Sequence, residues 1–144
     1  MHRGKAHLES YTAVPDCTVA YVCDVDSRAA EESAAWVERK TGKRPKVVTD
    51  FRRALEDPSL DAISIAMPNH WHAPAAILAC QAGKHVYVEK PVSHNLLESA
   101  KLMAAATKAA AKGIVAAMRA RMPGYLVPRL VREMVGESSK TLVL

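Results

Sequence analysis

The sequence predicts an α/β fold, a doubly wound parallel sheet with helices packed on it. Three observations predict it. Short apolar runs rich in β-branched residues alternate with helical stretches of about ten to fifteen residues, which is the pattern of βαβ units. Asp, Ser, Gly and Pro fall at the joints between them, where caps and stops belong. The 144 residues are 49% hydrophobic and 24% charged, enough apolar material for one domain with a core.

The elements follow in order. Residues 5–14 read as a helix ended by Pro15-Asp16. Cys17-Thr-Val-Ala-Tyr-Val-Cys23 is short, apolar and β-branched, hence a buried strand. Asp26 or Ser27 caps the next helix, residues 28–40, and Thr41-Gly42 stops it. A brief strand at 47–49 precedes Asp50, which caps a short helix over 51–56. Residues 61–66 form the next buried strand, and Met67-Pro68-Asn69-His70 a loop. The helix over 73–82 carries Pro74 in its first turn and ends at Gly83. His85-Val-Tyr-Val88 is a strand running into Glu89-Lys90-Pro91. An Ala-rich helix spans 96–112 and stops at Gly113, followed by a strand at 114–117 and a helix over 123–135. Thr141-Leu-Val-Leu144 has the composition to begin a strand. Each crossover between parallel strands is expected to be right-handed.

Composition narrows the function classes. The net charge of +5 and pI of about 9.2 suit polyanionic partners, but the bases are dispersed and there is one Phe. A nucleic-acid surface calls for a clustered basic stripe with stacking aromatics, so no nucleic-acid partner is expected. No apolar run reaches membrane-spanning length and the first residues are not a signal peptide, so no membrane role and a cytoplasmic location are expected. The three cysteines, Cys17, Cys23 and Cys80, read as reduced, buried thiols rather than bridges.

Open parallel sheets bind ligands at the carboxyl ends of their strands. There the sequence delivers Asp24 and Asp26, then Met67, Pro68, Asn69, His70 and His72, then Glu89, Lys90 and Pro91, and finally Met118, Arg119 and Arg121. Asp24 lies twenty residues beyond Gly4, which stands where a helix begins. A dinucleotide fingerprint places its ribose-binding carboxylate about 20 residues past a glycine loop, but a carboxylate here also suits a helix cap. Asn69-His70-Trp71-His72 lacks a third ligand at conventional spacing, so no metal is expected. Lys90 beside Glu89 at a strand end suits binding of an oxyanion or sugar hydroxyl, or proton transfer; a solvated ion pair is the simpler alternative. Pro91 fixes the backbone there, and an X-Pro bond in such a turn can be cis. Ser64 has no nucleophile elbow, and Ser93-His94 has no triad partner.

Three stretches together resemble the nucleotide-binding half of the Gfo/Idh/MocA oxidoreductases. They are Val22-Cys23-Asp24-Val25-Asp26, Ile65-Ala66-Met67-Pro68-Asn69-His70-Trp71-His72-Ala73, and Gly83-Lys84-His85-Val86-Tyr87-Val88-Glu89-Lys90-Pro91. The resemblance runs from Gly4 to about Gly136. It implies a Rossmann-like fold, NAD or NADP, and hydride transfer to or from a hydroxyl-bearing substrate such as a sugar or cyclitol. By that resemblance Gly4 is the third glycine of the pyrophosphate loop, and Asp24 binds the adenosine ribose and favours NAD over NADP. Pro68, Asn69 and His72 line the cofactor cleft, and Glu89 approaches the nicotinamide ribose. Lys90 serves as the catalytic residue beside the nicotinamide, orienting the substrate hydroxyl and assisting proton transfer, and Pro91 forms the turn.

The sequence departs from that family pattern in three places. The expected departures are the strand and first two glycines ahead of Gly4, Met118-Arg119-Ala120-Arg121 where many members read Gly-Thr-Gln, and the second domain, which is expected to be missing. Residues 1–136 are therefore expected to be an incomplete NAD(P)-binding domain whose sheet lacks its first strand, with 137–144 a tail or the start of a missing domain. The expected function is NAD(P)-dependent oxidoreduction, weak or absent in this chain alone. The alternative is a non-catalytic nucleotide- or partner-binding remnant. The expected partners are a dinucleotide and a small polyhydroxylated substrate, with a homo-oligomer compatible.

Overall fold

The computed structural model describes residues 3–109 and 141–143. The chain divides into two compact units, residues 1–64 with 140–144 and residues 65–139.

In the first unit, α1 (Arg3–Thr12) buries His7, Leu8 and Tyr11 along one face. A turn with Asp16 at φ 63° leads into β1 (Thr18–Cys23), where Val19, Tyr21 and Val22 are buried. Helix α2 (Ser27–Thr41) begins at Asp26, whose carboxylate accepts the Arg28 N–H at 2.9 Å. It buries Ala30, Ala34 and Val37, spaced four and three residues apart as one helical stripe requires. Gly42 ends it at φ +73°, its N–H donating to the Glu38 carbonyl at 2.8 Å. Then come β2 (Lys46–Val48), α3 (Phe51–Leu55) with Asp50 as N-cap, and β3 (Ala62–Ile65), buried throughout.

Strand β5 (Thr141–Val143) lies between β1 and β3 and is parallel to both, pairing Val19 with Leu142 and Ile63 with Val143. With β2 parallel to β1, four strands run in the order β2-β1-β5-β3. The middle of these four strands is thus held by a segment from the far end of the sequence. Backbone donors and acceptors of β1 and β3 gain partners there, which buried strands require.

The second unit begins at Ile65, the last residue of β3. Helix α4 (Asn69–Gln81) packs on β4 (His85–Val88) and on α5 (Leu96–Ala109). Ala73, Ala75, Ala76 and Ala79 are fully buried, and such small residues let a helix lie close to its neighbours. At its end the Gly83 N–H donates to the Cys80 carbonyl and the Lys84 N–H to Ala79, with Gly83 at φ +73°, a Schellman stop. At the start of α5 the Asn95 side chain accepts the Glu98 N–H, while the Glu98 carboxylate accepts the His94 N–H.

Two expectations are corrected. Asn69 and His70 are the first residues of α4, not loop, because Pro68 at φ −55° leads in and its carbonyl accepts the Trp71 N–H at 2.8 Å. Pro74 consequently sits in the second turn; the bond it forgoes is to the carbonyl of the exposed His70, which water can serve. Of the three free thiols only Cys80 is buried; Cys17 and Cys23 are half-buried, and Cys17 precedes β1. The expected strand at 114–117, the helix over 123–135, the stop at Gly113 and the rim residues Met118, Arg119 and Arg121 lie outside the described residues.

Candidate functional site

The first unit contributes Gly4 and Asp24. Asp24 follows β1 directly, and its N–H donates to the Val48 carbonyl at 3.3 Å, extending the β1–β2 ladder by one residue. Its Oδ1 accepts the Asp26 N–H at 2.9 Å, bracing the turn before α2. Capping of α2 itself belongs to Asp26, so Asp24 is not the cap. Its carboxylate is exposed, and that one bond leaves oxygen capacity for a ligand hydroxyl.

Charges at these strand ends are arranged in pairs. Arg52 clasps Asp50 through both side-chain and backbone hydrogen bonds, which hold the Asp50 carboxyl down at about 2. Arg28 lies 3.6 Å from Asp26. Burial, then the Asp24 and Asp50 charges, push the Cys23 thiol up to about 11. Gly4 is the second residue of α1, and among the described residues a Cβ built on it meets nothing within 4 Å. Among the described residues the space beside Gly4 is therefore open, and backbone N–H groups at a helix start suit an anionic group. The residues present in this unit fit a dinucleotide: an open helix start and an exposed carboxylate after β1.

The second unit contributes the remaining residues. Pro68 and Asn69 are exposed at the start of α4. The Glu89 N–H donates to the Ile65 carbonyl at 3.0 Å, so the chain just past β4 stays tied to the end of β3. The Glu89 carboxylate accepts the Lys90 N–H at 3.3 Å. Lys90 is exposed, and its peptide bond to Pro91 is cis. His72 is placed differently from its neighbours. It is 2% exposed, with Nδ1 2.6 Å from the Pro91 carbonyl oxygen and Nε2 2.7 Å from that of Met67. The imidazole thus spans the backbone of the loop after β3 and the turn after β4. His70 and Trp71, on the same helical turn, are both exposed.

Within this unit the structure brings His72, Met67 and Pro91 together, and Glu89 with Lys90. Among the described residues no group of three or more His, Cys, Asp or Glu is placed to hold a metal ion. Sequence reasoning missed the Met67 and Pro91 carbonyls, since a backbone acceptor leaves no mark in residue type. It also missed the buried cluster in the first unit, where His7 Nδ1 lies 2.8 Å from Ser64 Oγ and the Tyr11 hydroxyl donates to Ser64 at 3.4 Å. Ser64 lies inside β3 with 5% exposure, so this cluster fills the core.

Comparison with known proteins gives one consistent family. A family profile described as "Oxidoreductase family, NAD-binding Rossmann fold" matches residues 1–117. Levoglucosan dehydrogenase of Pseudarthrobacter phenanthrenivorans is 38% identical over 100 residues, covering 67% of this chain and 25% of that protein. A solved levoglucosan dehydrogenase in complex with NADH and levoglucosan superposes with a TM-score of 0.63 at 30% identity, covering 78% of this chain and 31% of that one. An NAD-binding oxidoreductase from Klebsiella pneumoniae gives 0.66 at 27% identity, covering 99% and 31%. The chain spans about a quarter of the length of the first of these relatives. No helix among the described residues is long and apolar enough to cross a membrane. The parallel strands, the intervening helices and the matched residues lead to one assignment: the chain belongs to the Gfo/Idh/MocA oxidoreductase family, as its NAD-binding Rossmann domain.

Proposed function

We propose that this chain is the nucleotide-binding portion of an NAD-dependent oxidoreductase acting on a sugar or similar polyhydroxylated substrate, weak or inactive as a catalyst on its own. The observation that carries the reading is Asp24, exposed after β1 with Gly4 in the open first turn of α1. The levoglucosan dehydrogenase in complex with NADH and levoglucosan supports the cofactor and the substrate class.

In this reading Asp24 accepts hydrogen bonds from the adenosine ribose and repels a 2′-phosphate, so NAD is favoured over NADP. The start of α1 at Gly4 faces the pyrophosphate. Pro68, Asn69 and His72 belong to the nicotinamide side, and Glu89 approaches that ribose. Lys90 is the catalytic residue: its ammonium orients the substrate hydroxyl and handles its proton, while Pro91 sets the turn. Bound NAD would supply the hydride-accepting C4 of nicotinamide.

Titrating NAD while following tryptophan fluorescence tests the reading, because Trp71 is 45% exposed on the first turn of α4. A saturable change is expected, with little or no reduction of NAD when polyols are added. No change at millimolar NAD would favour a non-catalytic, partner-binding remnant. Turnover of a polyol comparable to an ordinary dehydrogenase, on the order of 1 s⁻¹ or more, would contradict the claim of weak catalysis.

A further inference from the structure

His72 is buried, yet both of its ring nitrogens are committed to backbone oxygens at short distance, Pro91 through Nδ1 at 2.6 Å and Met67 through Nε2 at 2.7 Å. A carbonyl oxygen only accepts hydrogen bonds. A neutral imidazole has one N–H, so either tautomer serves one carbonyl and turns a lone pair toward the other. Whichever nitrogen carries the hydrogen, the ring lies between the two carbonyls and bridges the two backbone segments.

We propose that His72 is a positioning residue: its ring, held between the Met67 and Pro91 carbonyls, fixes the Glu89-Lys90-Pro91 turn against the loop that follows β3. The inference rests on the reading above for its link to Lys90, though not for its geometry. The turn is held at two points. One is the Glu89 N–H on the Ile65 carbonyl, and the other is His72 on Pro91. Lys90 lies between them in the chain, so its backbone is restrained on both sides. Asn69 and His72 share the first turn of α4, which places the proposed nicotinamide-side residues and the proposed catalytic lysine on one frame.

The test is amide hydrogen exchange on the whole chain at neutral pH, followed by nuclear magnetic resonance. In His72→Leu the Glu89 amide should exchange at least about tenfold faster while Tyr21 and Val22 in β1 keep their protection, and His72→Gln, which retains donors, should recover part of the loss. Unchanged exchange at Glu89, or equal acceleration in β1, overturns the positioning role. Failure to bind NAD would sink the functional reading and leave the Glu89 exchange result as it is, so the two failures are distinguishable.

Discussion

Ile65 joins the core to the candidate site, and truncating it should be felt in a defined amount. It is 1% exposed, among the largest fully buried side chains, and its carbonyl receives the Glu89 N–H at 3.0 Å. Ile65→Val removes one buried carbon and should destabilise by about 1 kcal/mol. Ile65→Ala removes three, about 2.4 kcal/mol of transfer free energy, and the incompletely collapsed cavity raises the total to about 3–4 kcal/mol. Against a typical domain stability of about 5–15 kcal/mol, the Val variant folds normally and the Ala variant sits near the margin. Urea unfolding followed by circular dichroism measures both, with the denaturant slope expected to stay constant. The Glu89 hydrogen bond uses backbone only, so its amide should lose no more protection than the global stability loses. A cost below about 1 kcal/mol for Ile65→Ala would show that the end of β3 is not packed as described and refute the reasoning.

The Cys23 thiol, held up at about 11 first by burial and then by Asp24 and Asp50, should alkylate at pH 8 roughly a hundredfold more slowly than a free thiol, with the rate rising until the pH approaches that value. A chain with Cys17 and Cys80 replaced by serine isolates the measurement. Asp50 is depressed to about 2 in the folded chain, chiefly by Arg52, so its contribution is present above the unfolded carboxylate value and is lost as pH falls from about 4 toward 2. Urea midpoints between pH 5 and 2 should therefore fall more steeply in the parent chain than in Asp50→Asn. Gly42 stands at φ +73° with open space around it, so Gly42→Ala should cost about 1–2 kcal/mol from backbone strain alone, read as a lower urea midpoint.

The sequence is most legible where punctuation and periodicity agree. β4 reads to the residue because His85-Val-Tyr-Val88 is bounded by Gly83 on one side and Pro91 on the other. α2 reads nearly as well, since Asp26 and Gly42 are a cap and a stop of the ordinary kind and Ala30, Ala34 and Val37 give the stripe. The start of α4 is less legible because Pro74 invites a first-turn placement, whereas Pro68 already sets the entry. β5 pairs with β1 and β3 across more than seventy residues of sequence, and nothing local in Thr141-Leu-Val specifies its neighbours. In the candidate site, Asp24 and Lys90 are legible as charges at strand ends. The His72 bonds are not, because their partners are backbone carbonyls that residue identity does not encode.

The central claim is that the carboxylate after β1 selects and holds a dinucleotide. Calorimetric titration of NADH and NADPH into the parent chain and into Asp24→Ala tests it most directly. The parent should bind NADH in preference to NADPH, and Asp24→Ala should weaken NADH binding and erase the preference. Equal binding of both nucleotides by the parent, or NADH binding unchanged in Asp24→Ala, would contradict it.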